Sequence, residues 1–249
     1  MTAFKPYIYS IIFLCLYPLV FSYAHSADSL TTVLMEIGNT EKDNFIAVFD
    51  AMEQPSLEKE ELLSLKQTLE QAILAAQTAH NLSKTSKLHA FLAKVHIALN
   101  DNKAAFETLQ NAMAVGEKAL SNEEQIKILK RTADLSLTMG KYEEAYSYRL
   151  QILKVYEQLK DDEGIYSTYY NIGSIFFYQE NFLQALEYYK QANQMAKTAQ
   201  DSSIIYRSLA AMGSVYGELN DNDKSLTYNL QSLHMAENMD FQMGVAYAA

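Results

Sequence analysis

The sequence predicts an all-α protein, a solenoid of antiparallel helix pairs. Three observations carry that expectation. Only three prolines and eight glycines occur in 249 residues, and Pro6, Pro18 and Pro55 all fall in the first quarter, so no proline interrupts a helix after residue 55. With 49% hydrophobic and 20% charged residues, the chain has the apolar content to fold, and its scarcity of turn residues disfavours a β-sandwich or barrel. The third observation is a repeat. The small residues Ala105, Ala145, Ala185 and Ser225 stand forty apart without an insertion, as do Ala93, Ala133, Gly173 and Gly213. The aliphatic residues Val95, Leu135, Ile175 and Val215 keep the same step.

Taken from the N-terminus, residues 1–24 read as a secretory leader. Lys5 precedes an apolar run from about Tyr7 to Phe21, and Ser22-Tyr23-Ala24 offers small residues around a cleavage point. The run is short for a membrane span, and Pro18 suits a leader better than a spanning helix. Cleavage after Ala24 is expected, with Ala27 or an uncleaved anchor as alternatives. The single cysteine, Cys15, lies within this segment, which excludes a disulfide framework and a cysteine-rich zinc module. An exported protein in the periplasm, or a membrane protein facing it, is the expected location. Residues 25–84 form a polar lead-in followed by a degenerate helix pair, from Phe45 to Met52 and from Leu57 to His80, with a turn at Pro55.

Four repeats follow, over 85–124, 125–164, 165–204 and 205–240. The apolar spacing predicts first helices over 86–99, 126–139, 166–179 and 206–219. Their partners are predicted over 102–118, 142–159, 182–199 and 222–238. Two-residue polar links such as Asn100-Asp101 and Asn220-Asp221 force antiparallel packing, and the small-residue columns let the two backbones approach. Ser121 with Glu124 suggests a capping box; Asp161 and Asp201 are N-cap types. Register makes 241–249 the start of a further first helix. The chain therefore reads either as an N-terminal piece of a longer protein or as an array whose last edge pairs with another chain.

The pattern is similar to the tetratricopeptide repeat family. The third unit supplies that family's slots in order: Tyr169, Ile172-Gly173 and Phe176, then Ala185, Tyr189 and Ala192. The second unit departs from it with Thr132, Ser136 and Arg149, and the first places His89 and His96 in the aromatic slots. The resemblance implies a right-handed superhelix whose concave groove, lined by the first helices, binds an extended protein or peptide segment.

No phosphate loop, dinucleotide glycine motif, HExxH or GxSxG occurs, so residues 25–249 read as non-catalytic and without a cofactor. His89 and His96, seven apart, would lie about 10 Å apart along a helix, so packed histidines are the reading preferred to metal ligands. A net charge of −10 argues against a nucleic-acid partner. Register assigns Lys87, Lys94, Lys130, Arg131, Tyr170, Asn171, Ser174, Phe177, Tyr178 and Arg207 to the groove. Only Asp134 and Glu218 oppose their charge. An acidic peptide or a terminal carboxylate is the partner such a lining attracts. Lys130, Asn171 and Arg207 fall where the family's carboxylate clamp places similar side chains, although Asp134 and Ala211 break the clamp pattern.

The expected function is a non-catalytic binding module outside the cytoplasm. It resembles the N-terminal sensory region of a bacterial signalling protein with a diguanylate cyclase or histidine kinase output. A stand-alone periplasmic scaffold for envelope protein assembly is the alternative. A membrane enters only through an uncleaved leader or a segment beyond residue 249.

Overall fold

A computed structural model describes residues 45–52 and 57–248 and divides into two units, the first ending at Leu135 and the second beginning at Ser136. The leader, most of the polar lead-in and the Pro55 turn lie outside the described residues. Among those described, all regular structure is α-helical. The first unit holds α1 (Phe45–Ala51), α2 (Lys59–Thr78), α3 (Leu82–Ala98), α4 (Asn102–Gly116) and most of α5 (Asn122–Thr138). The second holds α6 (Tyr142–Leu159), α7 (Asp162–Tyr178), α8 (Phe182–Ala199), α9 (Ser202–Glu218) and α10 (Asn222–Ala248).

The helices end where the backbone turns left-handed. His80, Asn100, Gly140, Lys160, Glu180, Gln200 and Asn220 all have positive φ, between 54° and 70°. Each is followed by a residue whose amide closes the preceding helix, as in Asp101 N–H to the His96 carbonyl (2.8 Å) and Asp201 N–H to the Ala196 carbonyl (2.9 Å). After six of the seven, that same residue also caps the next helix; the exception is Lys141, whose ammonium cannot accept. Asn81, Asp101, Asp161, Asn181, Asp201 and Asp221 each accept a backbone N–H from the first turn beyond. One left-handed residue and one cap thus reverse the chain in two positions, which is why the helix pairs are antiparallel.

The α4–α5 link departs from this scheme. Leu120 occupies the slot that elsewhere turns left-handed, where a bulky aliphatic residue is disfavoured, and it buries instead. α4 ends early, at Gly116, where a Cβ would stand 2.4 Å from the Ser86 Oγ. Ser121 then caps α5 through a reciprocal pair: its own N–H donates to Glu124 (2.8 Å), and the Glu124 N–H donates to the Ser121 hydroxyl (3.3 Å).

Two expectations need correction. The first helices begin one turn earlier than apolar spacing suggests, at Leu82, Asn122, Asp162 and Ser202, because the caps at 81, 121, 161 and 201 fix their starts. The turn expected near residue 240 does not form, and α10 runs unbroken to Ala248. Register puts Phe241 where Asp161 and Asp201 cap their helices, so nothing there competes with helix continuation.

Packing follows the small-residue columns. Within the first unit α2 packs on α3 and α3 on α4. Leu65, Leu69, Leu88, Phe91, Leu109 and Ile128 are fully buried there. In the second unit α6 packs on α7, α7 on α8, α8 on α9 and α9 on α10; α7 also touches α9. One cluster gathers Ala185, Leu186, Tyr189, Leu209, Met212 and Val215. The Tyr189 ring lies against Gly173 so closely that a Cβ would come within 2.8 Å of it. In the fourth repeat the Ser225 hydroxyl donates to the Gly213 carbonyl (2.8 Å), which explains how serine replaces alanine in that column. The second repeat's polar substitutions are accommodated: Thr132 and Ser136 are buried, and the Thr132 hydroxyl donates to the Ile128 carbonyl. Along α10, Leu226, Leu230 and Leu233 form an exposed stripe.

Candidate peptide-binding faces

The predicted groove residues fall in both units, and each unit has its own geometry. In the second unit, α7 and α9 present Tyr170, Asn171, Ser174, Phe177 and Arg207. Arg207 is exposed, and its guanidinium carbon lies 4.3 Å from the centre of the Tyr170 ring. Tyr170 leans on Tyr189, with ring centres 5.4 Å apart. The Tyr189 hydroxyl donates to the Ser174 Oγ (3.2 Å), and the Ser174 hydroxyl donates to the Tyr170 carbonyl (3.2 Å). Burial pushes the Tyr189 phenol up to about 12. Phe177 meets Phe182 edge-on at 5.8 Å, and Tyr178 beside it is exposed. The result is a half-buried aromatic surface carrying one exposed guanidinium.

Asn171 departs from the role that a carboxylate clamp requires. Its amide donates to the Ser167 carbonyl of its own helix (2.8 Å). One of its N–H groups is therefore already used, and the amide oxygen remains as an acceptor.

In the first unit, Lys130 and Arg131 on α5 are half-buried. The Arg131 Nε–H is buried with no hydrogen-bond partner among the described residues. An unmet buried donor is uncommon. Lys94 requires a correction. It is 4% exposed, its ammonium donates to the Phe49 carbonyl, and it lies 3.9 Å from the centre of the Phe49 ring. Lys87 is also buried and pairs with Glu124 at 2.6 Å. Both lysines are covered by α1, so neither adds to an open basic lining.

The aromatic-slot histidines are packed side chains. His96 is buried, and His89 is half-buried with Nδ1 2.8 Å from the Thr85 carbonyl. Burial holds both imidazoles below their usual value. At His96 the neighbouring Lys66 acts in the same direction, while Asp101 and Glu70 oppose it. Among the described residues, no group of three or more His, Cys, Asp or Glu side chains gathers as for a metal ion, and no helix is long and apolar enough to cross a membrane.

Sequence reasoning missed a cleft of about 600 Å³ between α8, α9 and α10. Lys190, Lys197 and Lys224 line it beside Leu209 and Met212, and Lys224 is paired with Asp221 at 2.6 Å. These lysines occupy exposed helix positions with no distinctive spacing, so only the fold brings them together.

Comparison with known proteins agrees with the geometry. Residues 124–198 match the family model described as tetratricopeptide repeat. No curated protein sequence matches the chain. Among solved structures, BtubC (BKLC) from P. vanneervenii is similar with a TM-score of 0.68 and 14% identity, over 89% of this chain and 92% of that one. A signal transduction ATPase with numerous domains from Pyrococcus horikoshii, which carries a tetratricopeptide repeat sensor, is similar with a TM-score of 0.64 and 17% identity. That match covers 86% of this chain and 32% of that one. A Rap protein complexed with competence and sporulation factor is similar with a TM-score of 0.55 and 13% identity, over 82% of this chain and 57% of that one. At such identities the likeness is one of fold.

Proposed function

This chain is a tetratricopeptide-repeat protein, a fold that is typically a non-catalytic scaffold for protein–protein interaction, and on that premise we propose that it binds an acidic peptide segment outside the cytoplasm. The observation that carries the reading is Arg207 held exposed over Tyr170 beside Phe177. A guanidinium stacked on a ring is pre-oriented, so a carboxylate can take its remaining donors with little further loss of side-chain freedom. The neighbouring aromatic rings supply the apolar contact area that binding sites draw on.

The test is calorimetric titration of the full chain with an acetylated probe peptide made of Glu, Asp and Phe that ends in a free carboxylate. We expect saturable binding that weakens at least tenfold on Arg207→Glu, with helicity unchanged. A probe with lysine in place of the acids should not bind. Equal affinity for both probes, or unchanged affinity in the Arg207→Glu variant, contradicts the proposal.

The finer reading is a sensory module of a bacterial signalling protein. It is supported by the leader-like residues 1–24 and by a structural neighbour that uses such repeats as a sensor. Fusing residues 1–30 to a reporter active only outside the cytoplasm should give signal, and silence contradicts export.

A further inference from the structure

The strongest unexplained feature of the first unit is α1. It does not leave the first-helix face of α3 and α5 open. Its Phe45 ring meets Phe91 edge-on at 5.5 Å, and its Phe49 ring meets the same Phe91 at 5.7 Å. The Phe49 carbonyl accepts from Lys94, and the Lys87 ammonium lies 5.7 Å from the Phe45 ring. Asp50 pairs with Lys127 of α5 at 2.5 Å. Lys87, Phe91 and Lys94 form a stripe at i, i+4 and i+7 along α3. It sits in the same repeat register as Ser167, Asn171 and Ser174 of α7, so it is the face that register assigns to a ligand.

We propose that this face, formed by Lys87, Phe91, Lys94 and Lys127, is a docking surface for a short amphipathic helix, and that α1 is its resident ligand. The occupant shows what the surface reads. Phenylalanines four residues apart straddle Phe91, and an aspartate directly after the second one reaches Lys127. Phe45, Val48, Phe49 and Met52 are buried, while Ala47 and Asp50 face outward. A helix of seven residues is too short to persist alone, so α1 owes its helicity to the surface beneath it. The external partner is therefore a protein segment with the same chemistry, two phenylalanines one helical turn apart followed by an acid, and it competes with α1 for the face. Tethering gives α1 an effective concentration in the millimolar range, so an external helix binds much more weakly while α1 is docked. This proposal concerns the first unit and stands apart from the Tyr170 and Arg207 surface.

The test uses the full chain carrying Phe45→Ser and Phe49→Ser together, and a fluorescein-labelled peptide with the sequence of residues 43–54 as the probe. The peptide should bind the double variant saturably and at least tenfold more tightly than the unaltered chain. Adding Lys127→Glu to the variant should weaken binding, and adding Arg207→Glu should not, which separates this surface from the proposed acidic-peptide site. Absence of binding to a variant that keeps its helicity, or equal affinity for both chains, overturns the proposal. If the double variant loses its helicity, hydrogen exchange on the unaltered chain decides. Amides of α1 exchanging well before those of α3 and α4 support a displaceable ligand; exchange of all three together makes α1 a fixed part of the core and overturns it.

Discussion

Asp201 does more than cap a helix, and replacing it should expose the difference. Its Oδ1 accepts the Ser203 and Ile204 N–H groups (2.9 and 3.1 Å), and its Oδ2 accepts the Tyr166 hydroxyl (2.9 Å). Tyr166 is 4% exposed, and its phenol is pushed up to about 12 by burial and by that bond. Asp201→Ala removes an N-cap, worth about 1 kcal/mol. It also leaves a part-buried hydroxyl without its partner, at a further cost of about 1–3 kcal/mol. The sum is about 2–4 kcal/mol. With a urea slope of about 2 kcal/mol/M, the midpoint followed by far-UV circular dichroism should fall by about 1–2 M. Asp101→Ala is the comparison. Asp101 accepts one N–H, from Ala104 at 3.0 Å, in an exposed position, and its loss should cost about 1 kcal/mol. A double-mutant cycle of Asp201→Ala with Tyr166→Phe should show a coupling of about 1–2 kcal/mol. Equal effects of the two aspartate variants, together with zero coupling, would refute the reasoning.

Gly173→Ala places a Cβ 2.8 Å from the Tyr189 ring and should destabilise by about 1–3 kcal/mol in thermal melts. Gly140→Ala meets open space but holds φ at +70°, so it should lose about 1–2 kcal/mol from backbone strain alone. At alkaline pH, Tyr166, Tyr188 and Tyr189, each raised to about 12, favour the folded state below the ordinary tyrosine value of about 10. That contribution is lost as pH rises toward 12, so absorbance at 295 nm should show late-ionising tyrosines coinciding with loss of helicity. At acid pH the signs reverse. His89 and His96 are held below their usual value of about 6.5, so the folded state binds fewer protons and stability declines as pH falls below about 6.5. His96→Gln should flatten that decline in urea titrations between pH 7 and 5.

Much of the fold was legible because the repeat is strictly periodic. A forty-residue step without insertion fixes which residues face each other, so Ala105, Ala145 and Ala185 were identifiable as packing positions from the sequence alone. Apolar spacing alone placed the helix starts a turn late, since it reports the buried stripe and not the cap. Asp161 and Asp201, both N-cap types, mark the starts at 162 and 202. Phe241 in the cap slot likewise signalled that α10 would continue. The candidate site was less legible. A lysine's register position tells which way it points, but not whether another segment covers it. Lys87 and Lys94 looked like groove cations because α1, some forty residues earlier in the chain, leaves no local mark on α3. The stacking of Arg207 on Tyr170 also joins separate helices, α9 and α7, and follows from repeat geometry only once the side chains are placed.

The central claim is that the face formed by α7 and α9 receives an acidic peptide. Photo-crosslinking tests it most directly, with a benzophenone placed at the phenylalanine of the acidic probe and the modified residues mapped by mass spectrometry. The account predicts labels concentrated between Tyr170 and Tyr178 on α7 and between Arg207 and Glu218 on α9, suppressed by excess unlabelled acidic peptide. Labels concentrated on α8 and α10, or spread evenly along the chain, would contradict it.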